Sequence, residues 1–207
     1  MKQLNNKIIG LFAGFIALAV ITIGIGAAVY SIYFNTADGS ATRFVARVFS
    51  LPAAKVGKNS VSYDRFLLTK DAVLRFINSE AGKEVGSSMP PEAELNKNIL
   101  EQLIRQQIVR EMADERDLAV SDDDVRAVFA DVVSAAASST TPDVAQYLWE
   151  NYGWNEQDFR DYVLRPALLE QKVSVAMAAQ TQGDPVEFEN IIQARRNQPD
   201  VIVYLRF

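Results

Sequence analysis

Residues 8–34 read IIGLFAGFIALAVITIGIGAAVYSIYF, and no charged side chain falls between Ile8 and Ala37. At about 1.5 Å per residue, roughly 20 apolar residues cross a bilayer core, so a run of this length spans one with some left over for tilt. On this reading residues 1–7 are a cytoplasmic stub and residues 8–34 a transmembrane signal-anchor. Residues 35–51 are a juxtamembrane tether, and residues 52–207 an extracytoplasmic domain, periplasmic or cell-surface. Lys2, Lys7 and the terminal amine lie before the run, with Asp38, Arg43 and Arg47 after it. The positive-inside rule then sets a cytoplasmic N-terminus by a narrow margin. A cleaved signal peptide is the competing reading, but its apolar region is normally about 7–15 residues. A single-pass protein of the cell membrane, touching the bilayer through residues 8–34, is the expectation. Gly10, Gly14 and Ala17 form a small-residue stripe of the kind that lets two membrane helices approach, which allows a homodimer. Such residues are also common in membrane helices that do not pair.

The 207 residues carry a net charge of −5, with no cysteine and no histidine. This composition speaks against a nucleic-acid surface. It also removes thiol nucleophiles, disulfides, Cys/His metal sites and Ser-His-Asp triads. No glycine-rich phosphate loop appears outside the apolar run, and no cofactor is expected.

Beyond the apolar run, Asn35, Asp38, Gly39 and Ser40 break the helix. Phe44, Val45, Val48 and Phe49 suit either a short amphipathic helix at a lipid interface or packing on the domain. Residues 53–62, AAKVGKNSVS, read as two short strands about a turn at Gly57–Asn59. Ser62 caps a helix from Tyr63 whose apolar face is Tyr63, Phe66, Leu67, Leu74 and Ile77. Gly82, Gly86 and residues 87–91 interrupt. Pro90, Pro91, Glu92 and Glu94 open a second helix, striped by Leu95, Ile99, Leu103, Ile108 and Met112 to about Arg116. Leu118–Val120 is an extended link. Ser121 with Asp124 is a capping-box variant, followed by Val125, Val128, Phe129, Val132, Val133 and Ala136, the clearest amphipathic pattern in the chain.

Residues 134–141 read as a loop, and Pro142 starts a short helix that Gly153 ends. Asn155 caps a long helix striped by Phe159, Tyr162, Val163, Leu169, Val173, Ala176 and Met177, which Pro166 should kink. Asp184, Pro185 and Glu187 open a last helix to about Arg196. Residues 201–207, VIVYLRF, are β-rich, and one strand cannot stand alone. They are expected to pair with the strands within residues 53–62. The fold class is therefore mostly α: one transmembrane helix, then a helical domain with a small β element joining its two ends.

The order of parts resembles a known family. A Pro52-Ala53-Ala54-Lys55-Val56-Gly57 strand leads to a Ser62-Tyr63-Asp64-Arg65-Phe66 helix start. A long helix ends in Ala113-Asp114-Glu115-Arg116-Asp117-Leu118-Ala119-Val120-Ser121-Asp122. Tyr152-Gly153-Trp154, Asp158-Phe159-Arg160 and Leu164-Arg165-Pro166 with Leu168, Leu169 and Lys172 follow. This is similar to the N-terminal chaperone module of the SurA family, shared with bacterial membrane-anchored foldases of the cell envelope. The resemblance runs from Pro52 to about Lys172. It implies ATP-independent binding of unfolded or nascent exported polypeptides in an apolar groove. Family members often add a parvulin-type prolyl isomerase domain. Residues 172–207 are too few for one and the chain has no histidine, so no enzyme activity is expected. The alternatives are a structural adaptor for one fixed envelope partner, or a prolyl isomerase relative.

Tyr147, Trp149, Tyr152, Trp154 and Phe159 are the candidate client-binding residues, because aromatics dominate contact energetics. Packing of the short helix onto the core is the commoner use of such a cluster. No catalytic residue and no metal ligand is expected. Asp122, Asp123 and Asp124 point in different directions on a helix and suit capping rather than one ion. Glu111, Asp114, Glu115 and Asp117 read as a solvated face beside Arg110 and Arg116, and Arg195 and Arg196 read as exposed.

Overall fold

The computed structural model describes residues 22–137, 143–181 and 184–207. The helices are α1 (22–35), α2 (Ser40–Val48), α3 (Tyr63–Asn78), α4 (Glu80–Glu84), α5 (Glu92–Asp114), α6 (Asp122–Ala137), α7 (Val144–Tyr152), α8 (Glu156–Phe159), α9 (Arg165–Thr181) and α10 (Pro185–Arg196). A π-helical turn, Arg160–Leu164, joins α8 to α9. The strands are β1 (Pro52–Val56), β2 (Asn59–Ser62) and β3 (Val201–Val203).

α5 is the central element. Acidic Glu92 and Glu94 sit in its first turn, where they suit the helix dipole. The expected stripe of Leu95, Ile99, Leu103, Ile108 and Met112 is buried, but so are Leu100, Ile104 and Val109. A single-faced stripe would not need these. α5 needs them because α3 and the sheet pack on it as well as α9 and α10. The sheet is antiparallel with strand order β2-β1-β3. Its hairpin closes through Gly57, whose φ of +55° favours glycine. A Cβ there would also overlap Glu111 Oε1. The C-terminal strand pairs with β1, Ala54 facing Val203, so residues distant in sequence close the domain.

The transmembrane helix is not supported, and with it falls the single-pass location. Among the described residues no helix is long and apolar enough to cross a membrane. Residues 22–35 cover only about 21 Å at 1.5 Å per residue, against a hydrocarbon core of about 30 Å. The end of the expected span is instead built into the domain. Ile32 is fully buried in the main core, and Arg206 N–H donates to Tyr33 O at 3.2 Å. Phe34 lies under the Arg206 guanidinium, 4.7 Å away. Ile32, sealed between protein elements, is not available to lipid, whereas Phe34 stays 44% exposed. The proposed dimer contacts at Gly10, Gly14 and Ala17 lie outside the described residues.

Residues 35–51 do not hang free. α2 packs Val45 and Ala46 inward, and Arg43 forks onto Asp71 of α3 at 2.6 and 2.9 Å. Tyr63 Oη donates to Ala37 O at 2.9 Å, and burial raises its pKa, keeping it a donor. Phe44, Val48 and Phe49 remain exposed.

The Pro166 kink takes the form of the π-helical turn just before it. This turn adds one residue to the helical path and rotates the buried face. Leu164 is consequently buried, while Val163, expected inward, is 36% exposed. α6 runs on through Ala137, where a loop from residue 134 was expected. Pro142, the expected start of the next helix, lies outside the described residues. α7 begins at Val144, capped by Asp143, whose side chain accepts from Ala145 N.

Candidate functional site

The candidate aromatics are set by a helix ending in a tight turn. Gly153 closes α7 in the left-handed conformation at φ +70°, as a C-terminal cap does. It turns the chain so that Tyr152 and Trp154 stack on each other, their centroids 5.6 Å apart. Tyr152 lies nearly parallel to Phe76 of α3 at 5.1 Å, and Tyr147 tilts against it at 6.3 Å. Trp154 meets the edge of Tyr162 at 6.1 Å, and Arg65 covers the other part of that ring at 3.6 Å. The result is a ladder of rings, Phe76–Tyr152–Trp154–Tyr162, ending under a guanidinium.

Tyr152, Gly153 and Trp154 form one wall of a cleft of about 320 Å³. Its rim carries both signs of charge, with Arg43, Arg47 and Arg75 against Asp64, Asp71 and Asp158. Trp149 stands beside the cleft, 60% exposed, with the Arg75 guanidinium 5.5 Å over its ring. Arg75 also donates to Glu150 O at 3.1 Å, so it ties α3 to α7. A Cβ at Gly153 would come within 2.8 Å of Arg75 Nη1 and push that guanidinium aside, and the positive φ itself disfavours any larger residue. Burial raises the pKa of the Tyr152 phenol, with the neighbouring Tyr147 adding to the shift.

The structure thus brings Tyr147, Tyr152 and Trp154 into ring contact, holds Trp149 beside them under Arg75, and sets Phe159 apart. Phe159 packs at 6.3 Å from Phe129 in a smaller hydrophobic cluster with Val125 and Leu164. Sequence reasoning missed Phe76, Arg65 and Arg75 as partners of the aromatics. Arg65 and Tyr162 are 97 positions apart, and no local spacing signals that contact.

Several charged residues also differ from the expectation of a solvated surface. Arg195 is mostly covered. It binds Glu111 at 2.6 Å and forks onto Asp200 at 2.8 and 3.0 Å, locking α5, α10 and the turn before β3 together. Arg196 forks onto Glu101 at 2.6 and 2.7 Å. The three consecutive aspartates each have a different cation. Asp122 meets Arg165 at 2.7 Å, Asp123 meets Arg126, and Asp124 meets Lys172 at 2.8 Å.

A sequence profile of the SurA-like N-terminal domain family matches residues 1–174. The chain belongs to this family. No curated protein and no solved structure matches it. Membership carries a chaperone-like or folding-related role and nothing more specific. Two of the stretches that carry the resemblance of this SurA-like domain meet in space. Arg165 Nη1 donates to Val120 O at 3.1 Å, and Lys172 Nζ to Ala119 O at 3.0 Å. The Leu118–Asp124 link is therefore clamped by the Arg165-Pro166 and Lys172 segment of α9. The match stops short of α10 and β3, yet Phe188, Ile192 and Leu205 from that remainder fill the main core.

Proposed function

We propose that this SurA-like domain is a non-enzymatic, ATP-independent chaperone that binds unfolded or nascent polypeptides at the Tyr152–Trp154 cleft. The observation that carries the reading is the pairing of stacked aromatic faces with an outward Trp149 and a rim of both charges. Aromatic surfaces take up apolar side chains with little dependence on sequence, and the rim charges, paired as Arg43–Asp71 and Arg47–Asp64, set no preference for a client of either sign. Binding of this kind is reversible, because exposed aromatic area stabilises a client only while its own apolar surface is unburied. The ladder down to Phe76 keeps the ring faces in place, so little ordering is needed when a client arrives.

Both tryptophans of the chain, Trp149 and Trp154, lie at this site. Intrinsic fluorescence therefore reads its occupancy directly. The test adds the full-length chain to a chemically denatured, aggregation-prone protein and follows light scattering without nucleotide. Suppression near stoichiometric ratios, with a change in tryptophan emission, is expected. Trp149→Ala, a surface change, should weaken suppression severalfold while leaving the unfolding curve in place. Absence of suppression by the folded wild-type chain at every ratio would remove the chaperone reading. Suppression unaltered by Trp149→Ala and Tyr152→Ser would move the binding surface elsewhere.

A further inference from the structure

Tyr162, whose ring meets Trp154, also lines a second pocket, of about 270 Å³. Arg65 and Arg110 both line it. Arg65 Nη2 donates to Tyr162 O at 3.3 Å. That carbonyl is free because Pro166, four residues on, has no N–H to give it. Arg65 Nη1 is buried and has no hydrogen-bond partner. Among the described residues no ion pair engages Arg65 or Arg110, and Arg110 reaches only Gln107 Oε1 at 3.3 Å. This contrasts with Arg105, Arg195 and Arg196, each held by carboxylates. The single acid of the pocket wall, Asp161, is already engaged by Arg165 at 3.4 Å and Gln157 at 2.7 Å.

An unpaired buried guanidinium N–H is costly unless an acceptor reaches it. Burial lowers the Arg65 pKa, Tyr162 and Asp158 partly offset this, and the nearby Arg110 lowers it further; an anion between the two arginines would relieve the effects of burial and of Arg110. Around the two cations the wall offers Ser60, Ser62 and Gln106 as further hydrogen-bonding groups, with Val61 and Leu103 as apolar surface. Ser60 and Ser62 belong to β2, which pairs only with β1 and is an edge of the sheet. An extended segment lying along such an edge brings its own polar ends to the pocket. The π-helical turn forms the remaining wall, and such turns recur at functional sites.

We propose that the Arg65–Arg110 pocket binds a carboxylate of a polypeptide, either its terminal carboxylate or an acidic side chain. Two guanidiniums with a free N–H suit the planar, two-oxygen geometry of a carboxylate, and the pocket is large enough for one residue with its neighbour outside. The proposal rests on the polypeptide-binding reading above and adds to it a polar anchor distinct from the aromatic cleft.

The test measures binding of a labelled apolar octapeptide to the full-length chain by fluorescence anisotropy. The peptide is used as the free acid, as the C-terminal amide, and as an amide with glutamate next to its end. Inorganic phosphate is added in a separate competition. The free acid is expected to bind about tenfold or more tightly than the plain amide, in line with charge-assisted hydrogen bonds. Recovery of affinity by the glutamate amide assigns the site to side-chain carboxylates as well; no recovery assigns it to chain ends. Arg110→Glu, at an exposed position, should abolish or reverse the acid preference with the unfolding curve unchanged. Arg65→Lys should weaken it while retaining charge. Equal binding of acid and amide overturns the proposal and leaves the chaperone reading intact. Phosphate that binds at micromolar concentration when no peptide binds also overturns it, in favour of a small-oxyanion site. Failure of every peptide together with failure to suppress aggregation removes both readings.

Discussion

The main core takes Ile32 from α1 and Leu205 from beyond β3, whereas the smaller cluster of Val125, Phe129 and Leu164 is gathered from residues 120–168. The first joins segments far apart in sequence, through β3 on β1 and through the Arg195 and Arg196 ion pairs. The second joins α6 to the π-helical turn and α9, all within residues 120–168. Their size differs too. Among the described residues three buried side chains make the smaller cluster, against more than twenty in the main core. A cluster with so few buried side chains opens at lower free energy than a large closed core. The molecule is therefore best understood as one long-range core carrying a locally held flap of α6.

That contrast is broken or sharpened by substitutions on each side of it. Phe66→Ala should be the most damaging, at about 3–5 kcal/mol, the usual range for deleting a fully buried phenylalanine. A urea unfolding curve would show it as a shift of the whole transition, with amide protection lost in α3, α5 and the sheet alike. Phe129→Ala should cost less, about 3 kcal/mol, because a small cluster collapses more easily around the gap than a large core does. Hydrogen exchange should then speed up in α6 and the π-helical turn only. Equal loss of protection in α5 would mean that the two regions open as one unit.

Ser121→Ala tests the flap more gently. Ser121 Oγ accepts from Asp124 N at 3.0 Å, and the Asp124 carboxylate accepts from Ser121 N at 3.1 Å. Removing the hydroxyl should cost about 1 kcal/mol, seen as faster exchange at the start of α6 and a near-constant urea midpoint for the rest.

The smallest effect concerns the charges around the main core. The hydrogen bond from Arg196 holds the Glu101 carboxyl below the ordinary glutamate value of 4.5. A lowered folded-state value contributes stability that is present above the unfolded pKa and lost as pH falls through the folded one. The urea midpoint should therefore fall between about pH 5 and pH 3. Arg196→Gln should flatten that fall and cost only about 0.5 kcal/mol at pH 7, since solvent reaches and screens the pair. A pH profile unchanged by the substitution would locate the acid sensitivity in other carboxylates, Glu189 and Asp200 first, both lowered by their arginines.

Much of the helical framework was legible in short-range patterns. Ser62, Ser121, Asn155 and Asp184 cap the helices they were expected to cap. Capping depends on a side chain and a backbone N–H two or three residues away, so sequence spacing suffices to find it. The α5 stripe and the closing strand were readable for the related reason that periodicity follows from backbone geometry. The candidate aromatics were readable as a group, except that Phe159 joined the other cluster.

Tertiary structure alone decided the rest. An apolar run has the same composition whether lipid or protein covers it, so only the burial of Ile32 and the tie from Arg206 to Tyr33 show where residues 32–34 belong. Pro166 announced a disturbance but not its form, and the extra residue of the π-helical turn exchanged Leu164 for Val163 on the buried face. The ion pairs of Arg195 and Arg196, the clamp of Arg165 and Lys172 on the Leu118–Asp124 link, and the unpaired Arg65 all depend on contacts tens of residues apart. Local sequence determines which way a helix faces and where it starts; which charge meets a partner, and which is left without one, is settled only when the helices are packed.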